Sequence, residues 1–224
     1  MISRTELAGM IDHAILRPNS TEEDIENGCK EATELGLAAV VVNPAHVPLA
    51  TRALKGSPVK VCSVIAFPFG LSTTEAKVFE ARNVLAQGAE EIDMVMNFSA
   101  LRSGQSELVL KDVRGVVDEA RHSPWKTVVK VIIETCYLSQ AEKKQACMLA
   151  VKAGADFVKT STGFGTGGAT VDDVRLMKQT VGPTVGVKAA GGVRTVEHAL
   201  QMIGAGANRI GTSASASILE GLPR

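Results

Sequence analysis

An excess of charge of either sign is absent from this 224-residue chain, in which 24 Lys and Arg balance 24 Asp and Glu. Nucleic-acid binding needs surplus positive charge, so no nucleic-acid partner is expected. A neutral total still leaves room for a local site that takes a small anion. No run approaches the roughly 20 apolar residues of a membrane span, so no membrane partner is expected either. Arg4, Glu6 and Asp12 fall among the first residues and leave no apolar signal-peptide core. Cys29, Cys62, Cys136 and Cys147 show no paired spacing and mostly lie in apolar segments. They read as reduced core residues of a cytoplasmic protein. His13, His46, His122 and His198 are scattered, with neither a His-x-His nor a His-Glu-x-x-His pattern, so no metal site is expected. Linkers and low-complexity tracts are missing too, and residues 1–224 read as one domain.

What is present is an apolar fraction of 45%, enough to fill a sizeable core. A weak internal repeat organises it. Gly36-Leu37-Ala38-Ala39-Val40, Gly88-Ala89-Glu90-Glu91-Ile92, Gly154-Ala155-Asp156-Phe157-Val158 and Gly206-Ala207-Asn208-Arg209-Ile210 share one form. Each is a glycine closing a helix, a tight turn and an apolar strand. Gly36 and Gly88 are roughly 52 residues apart, as are Gly154 and Gly206, which gives a βα module of about 26 residues. Strands are predicted near Ile11–Leu16, Ala38–Asn43, Val59–Phe67, Glu91–Asn97, Val128–Glu134, Phe157–Thr162, Val185–Ala190 and Arg209–Thr212. Helical patterns fill the intervals. Thr21-Glu22-Glu23-Asp24 opens one, Ser72-Thr73-Thr74-Glu75 has the capping-box form, and Gln140–Lys152 and Thr195–Ile203 are amphipathic. Continuous apolar strands indicate a parallel sheet covered on both faces. Eight βα units with no Gly-x-Gly-x-x-Gly at the first turn favour a closed (β/α)8, or TIM, barrel over a doubly wound sheet.

Three lysines interrupt those apolar runs: Lys130, Lys159 and Lys188, on the fifth, sixth and seventh strands. An ordinary lysine, of pKa about 10.4, is about 0.04% neutral at pH 7. Burial and a second cation both lower that pKa. At an effective dielectric of about 20, two ammonium groups roughly 5.5 Å apart repel by about 3 kcal/mol, or about two pKa units. Proteins build Schiff-base lysines in this way. One such lysine would read as a buried stem with its head snorkelling to the strand end. Three at similar places in successive units point to chemistry in one shared cavity at the C-terminal ends of the strands. Asp93, between apolar residues of the fourth strand, needs a partner, and these lysines are nearest. Asp12 of the first strand is a candidate for the same network.

A second constellation concerns anions. Gly191-Gly192-Val193-Arg194 follows the seventh strand and Gly211-Thr212-Ser213 follows the eighth, before a final short helix. Glycines let backbone N–H groups approach a phosphate, and these loops are the recurring phosphate site of the barrel. Ser161-Thr162-Gly163-Phe164-Gly165-Thr166-Gly167-Gly168 is placed to add donors. A lysine amine beside a phosphate cradle suggests covalent handling of a phosphorylated carbonyl compound. A lysine iminium withdraws electrons, so an adjacent carbon can lose a proton or a C–C bond can break.

Ile11-Asp12-His13, Val42-Asn43-Pro44, Phe67-Pro68, Glu91-Ile92-Asp93-Met94-Val95, Val129-Lys130-Val131-Ile132-Ile133-Glu134-Thr135, Phe157-Val158-Lys159-Thr160-Ser161-Thr162-Gly163 and Val187-Lys188-Ala189-Ala190-Gly191-Gly192-Val193-Arg194 resemble, in order, the deoxyribose-phosphate aldolase family. The resemblance implies reversible cleavage of 2-deoxy-D-ribose 5-phosphate to D-glyceraldehyde 3-phosphate and acetaldehyde. It implies no metal and no organic cofactor, with small phosphorylated sugars and aldehydes as partners, and it leaves a homo-oligomer open. Carried over by position, Lys159 forms the Schiff base, Lys188 lowers its pKa and Asp93 relays protons through water. Lys130 and Asp12 fall around the substrate, and Gly163, Gly191, Gly192, Gly211 and Ser213 fall at the phosphate.

This sequence departs from the family pattern at Ala214, where a serine hydroxyl is frequent, and at Ala14 and Arg17, where threonine and lysine are more usual. It reaches Arg224 without the tyrosine-ended tail of some members, so no proton-transfer role for such a tail is expected. Two rival readings differ in what they require. A phosphosugar isomerase or epimerase needs a carboxylate or histidine base and has no use for paired buried lysines. A sugar-phosphate sensor keeps the glycine cradle and has no reason to bury an amine.

Overall fold

The computed structural model describes residues 2–124 and 126–222, so Arg224, where the tail comparison falls, lies outside them. Eight parallel strands close on themselves in sequence order: β1 Ile11–Ile15, β2 Ala39–Val42, β3 Lys60–Ile65, β4 Glu91–Val95, β5 Val128–Ile132, β6 Phe157–Lys159, β7 Gly186–Ala190 and β8 Arg209–Thr212. The closing pair is β1 with β8, with Asp12 opposite Gly211. Around them run α1 Arg4–Ala8, α2 Glu22–Leu35, α3 Val47–Ala53, α4 Thr74–Ala86, α5 Phe98–Arg102, α6 Ser106–Arg121, α7 Gln140–Ala153, α8 Val171–Val181, α9 Val196–Gly204 and α10 Ser215–Glu220. The expected barrel is the observed one. Most strands end one to three residues earlier than predicted, because the apolar run continues past the last ladder pair as the chain leaves to build the mouth.

The helix signals act through local hydrogen bonds. Thr21 and Asp24 form a reciprocal capping box at α2, as do Ser139 and Glu142 at α7. The Ser72 box is a correction. Thr73 is the N-cap of α4, accepting from Ala76 N, which shifts the start by one residue and puts Ala76 instead of Glu75 at the third helical position. All four repeat glycines, Gly36, Gly88, Gly154 and Gly206, have positive φ, which a Cβ would resist.

Strand alternation sorts the side chains into two cores. Val40, Val42, Val61, Ile65, Ile92, Met94, Val129, Val131, Val158, Val187 and Ile210 face outward and pack with the helices in one continuous cluster. Inside the barrel, Ala39, Val41, Cys62 and Val64 form a separate small apolar cluster on the β2 and β3 side. Strands β4 to β8 and β1 carry the charged residues. Phe157 fills the space that Gly186 leaves, since a Cβ on Gly186 would lie 2.2 Å from the ring.

One buried ion pair lies outside the barrel. Lys77 of α4 donates to Asp112 Oδ2 of α6 at 2.5 Å and to Val95 O at 3.0 Å. Burial lowers the Lys77 pKa and raises that of Asp112, each against the attraction of its partner. Asp112→Ala strands the ammonium and is expected to lower the unfolding free energy by about 3–5 kcal/mol in urea titrations. Combining Lys77→Met with Asp112→Leu should restore most of that loss.

Candidate active site

Inward alternation brings seven ionisable side chains together: Asp12 of β1, Glu91 and Asp93 of β4, Lys130 of β5, Lys159 of β6, Lys188 of β7 and Arg209 of β8. Asp93 is the hub. Its Oδ1 accepts from Lys130 Nζ at 2.8 Å, and its Oδ2 accepts from Lys159 Nζ and Lys188 Nζ, each at 2.7 Å. The Cys62 thiol donates to Oδ1 at 3.3 Å. Lys130 also lies 2.6 Å from Glu91 and 3.6 Å from Asp12, and Lys188 lies 2.5 Å from Asp12. Arg209 completes the network by pairing with Asp12 and Glu91.

Four cations therefore meet three carboxylates. Were all ionised, one positive charge would stay uncompensated where desolvation costs several kcal/mol per ion. Buried groups relieve such a cost by changing protonation. Among the described residues, Lys159 pairs with Asp93 alone, whereas Lys188 and Arg209 have two carboxylates each and Lys130 has three. Burial, aided by the Lys188 charge, overcomes the pull of Asp93 and holds Lys159 below the usual lysine range. Burial opposes the charge on Lys188 as well, but Asp12 and Asp93 outweigh it and hold that amine above its usual value. Lys130 is buried and yet held well above the usual range, chiefly by Asp93. For Asp93 itself, burial disfavours the anion and the three lysines overturn that, leaving its carboxyl well below the usual range. Burial raises the Cys62 pKa, so it remains a thiol.

A cleft of about 860 Å³ opens at the C-terminal ends of the strands. Lys159 and Lys188 line it. Lys130, Asp93 and Asp12 do not; they are fully buried behind the pair. The expectation of three lysines in one cavity is thus corrected to two. Register gives the reason, because Lys130 is paired with Phe157, two residues before Lys159, and so sits deeper in the barrel.

Gly163, Gly191, Gly192, Gly211 and Ser213 all line the cleft, as do Ala14, Arg17 and Arg194. Their loops are tied to one another. Ala169 N donates to Gly191 O at 3.0 Å, and Gly168 packs so closely that a Cβ there would lie 2.1 Å from that oxygen. Thr212 Oγ1 donates to Val193 O at 2.7 Å and accepts from Ala214 N at 3.0 Å. Gly211 also makes room for Lys188, since a Cβ there would be 3.0 Å from Lys188 Cε. Phe164 lines the cleft and packs edge-on against Phe67, with ring centroids 5.3 Å apart.

Sequence reasoning does not single out Arg209 and Glu91. Both open strands directly after an αβ turn, where a charged residue is usually solvated. The available signal is their alternation in phase with Gly211 and Asp93.

A closed parallel barrel that lines a glycine-rich cleft with a buried, depressed lysine has the construction of a lysine-dependent lyase. Residues 7–219 match the family model described as DeoC/LacD family aldolase, and the chain belongs to that family. It is 55% identical over 222 residues to a deoxyribose-phosphate aldolase of Carboxydothermus hydrogenoformans, covering 99% of this chain and 97% of the relative. It is 57% identical over 213 residues to a deoxyribose-phosphate aldolase of Bacillus cytotoxicus, covering 95% and 94%. A solved deoxyribose phosphate aldolase from Aeropyrum pernix, described as a unique tetrameric structure, superposes with a TM-score of 0.91. The two are 37% identical, with 97% of this chain and 91% of that one covered.

The charge balance makes a pH prediction. An amine reacts only when deprotonated, so activity should fall as pH drops through the lowered pKa of Lys159. Lys188→Leu removes the cation that helps depress it. The acidic limb of the kcat/KM profile is then expected to move to higher pH, and a limb that stays in place would separate Lys188 from that effect.

Proposed function

We propose that the chain catalyses reversible cleavage of 2-deoxy-D-ribose 5-phosphate to D-glyceraldehyde 3-phosphate and acetaldehyde through a Schiff base on Lys159. The observation that carries this reading is the pairing of Lys159 with a single carboxylate, inside a network that has one cation too many and opens on the cleft. Curated relatives of that name at 55% and 57% identity over nearly the whole chain support the substrate.

In this reading the sugar phosphate enters in its aldehyde form, with its phosphate on the loop amides around Gly163, Gly191, Gly192, Gly211 and Ser213. Ala214 brings no hydroxyl, and its amide already donates to Thr212, so Ser213 supplies the side-chain contact there. Lys159 attacks C1, and loss of water leaves an iminium. Lys188 stays protonated and serves as the adjacent acid. Asp93 touches both amines and passes protons between them and ordered water, while remaining an anion itself at neutral pH. The iminium then takes up the electrons of the C2–C3 bond as the C3 hydroxyl loses its proton, glyceraldehyde 3-phosphate departs, and protonation of the enamine at C2 regenerates an iminium whose hydrolysis releases acetaldehyde and frees Lys159. Lys130, Asp12, Glu91 and Arg209 hold the pair from behind by balancing its charge. An isomerase would need a base aimed at a carbon acid, and would gain nothing from the paired amines.

The same reading takes the whole chain as one catalytic unit acting in the cytoplasm, with four free cysteines, three of them buried, as support. No helix among the described residues is long and apolar enough to cross a membrane. Self-association belongs to the reading on the strength of the tetrameric Aeropyrum pernix relative.

Borohydride added with acetaldehyde or deoxyribose 5-phosphate should leave a stable adduct on Lys159, located by peptide mass mapping. Label on another lysine, or none, defeats the assignment. Lys159→Ala is expected to abolish cleavage, while an excess of chelator leaves the wild-type rate unchanged.

A further inference from the structure

We propose that Glu134 accepts, through the hydroxyl of Thr162, the proton that leaves the C3 hydroxyl of the bound sugar as the C2–C3 bond breaks. This extends the aldolase reading and rests on it. Glu134 continues the alternation Lys130, Ile132 at the end of β5, and Ile132 is the register partner of Lys159. Backbone bonds on either side of it, Ile133 N to Lys159 O at 3.0 Å and Thr135 N to Thr160 O at 2.9 Å, carry the pairing past the last ladder residue. Glu134 is therefore the next side chain toward the mouth, and it is 1% exposed.

Three features mark it as more than a strand end. Its φ is 53°, a left-handed conformation that a residue with a Cβ rarely holds without support. Its carboxylate is fixed chiefly to Thr162, accepting Thr162 N–H at 3.2 and 3.3 Å and the Thr162 hydroxyl in a short bond, and it also accepts the Cys136 thiol at 3.9 Å. The loop above presses on it, since a Cβ at Gly165 would lie 3.2 Å from Glu134 Cδ.

Thr162 lines the cleft with Lys159. A hydroxyl has one proton and two lone pairs. The Thr162 proton goes to Glu134, and one lone pair accepts Phe164 N–H at 3.0 Å. The remaining lone pair is available to an incoming hydroxyl. Burial raises the Glu134 pKa against the hydrogen bonds from Thr162 and the charge of Lys159, which makes it a better proton acceptor than an ordinary carboxylate. Asp93, held well below the usual range, is poorly suited to that task.

The step balances. The C3 hydroxyl proton moves to Thr162 Oγ1 as Thr162 passes its own proton to Glu134. The oxygen electron pair left behind forms the carbonyl of glyceraldehyde 3-phosphate. The C2–C3 electrons move onto the Lys159 iminium and give the enamine. The proton returns along the same path in the condensation direction.

Acetaldehyde alone exchanges its C2 hydrogens through the Lys159 enamine but has no C3 hydroxyl, so exchange in D2O separates the two roles. Glu134→Gln keeps an acceptor for Thr162 and removes the base. Glu134→Gln and Thr162→Val are expected to slow deoxyribose 5-phosphate cleavage by about 100-fold or more while exchange stays within about threefold of wild type. Thr162→Ser, which keeps the hydroxyl, should retain most of the cleavage rate. Full cleavage by Glu134→Gln, exchange that falls in step with cleavage, or complete loss in Thr162→Ser would each overturn the proposal. Wild-type protein that neither exchanges acetaldehyde nor traps it with borohydride would instead overturn the lysine reading beneath it.

Discussion

Asp93 gathers three lysine amines within 2.8 Å of its two oxygens, and the rest of the barrel interior is built to make that tolerable. One carboxylate cannot neutralise three ammonium groups. Asp12 and Glu91 supply two further negative charges, and Arg209 is drawn in to hold those acids in place. The arrangement still carries one cation more than it has anions. Because Asp93 and the three lysines are buried, the excess proton leaves most easily from Lys159, which lines the mouth and has the fewest acids around it. The lowered pKa of Lys159 is in this sense a property of the whole network.

The barrel confines that network to one side. Ala39, Val41, Cys62 and Val64 fill the interior from β2 and β3, where no counter-charge is available. Charged residues occupy β4 to β8 and β1, with side chains long enough to converge on Asp93. Phe157 over Gly186 packs the space beneath. Water is thereby kept from the rear of the lysines, so their mutual effects are not screened as they would be at a surface. Lys77 and Asp112 make a useful contrast. That pair is equally buried but balanced one to one, and it clamps two helices with no group left over.

Much of this was legible in the sequence because two periodicities are simple. The glycine-turn-strand repeat located strands and helix ends, and alternation marked Asp93, Lys159 and Lys188 as sharing a face. Alternation says nothing about height along the barrel, which is why Lys130 looked like a third cleft lysine and is in fact beneath the pair. Height depends on register between neighbouring strands, and register is set by many weak packing preferences spread over the helices. Arg209 and Glu91 were hidden for a related reason. At the start of a strand a charged residue either reaches solvent or turns inward, and only the presence of unpaired acids and bases across the barrel decides between them. The shifted cap at Thr73 is a smaller instance, in which two adjacent hydroxyls offered equivalent local signals and the turn geometry chose the second.

Asp93 and Glu134 illustrate how environment divides labour between chemically equal groups. Asp93 sits among cations, so its negative charge is stabilised to the point that it binds protons weakly. It is suited to orienting amines and to handing protons from one to another. Glu134 is bonded to Thr162 and to the Cys136 thiol, with a glycine loop against it, and it forms no ion pair among the described residues. Burial favours its protonated form and outweighs the opposing Thr162 and Cys136 hydrogen bonds and the Lys159 charge. Exchanging the two positions would disable both functions: a proton acceptor ringed by ammonium groups would not accept, and a lysine anchor without cations would be an uncompensated anion. The reaction needs a neutral amine and a proton acceptor at the same pH. Side by side, those two groups would form an ion pair; Glu134 instead holds the Thr162 hydroxyl, and Lys159 pairs with Asp93.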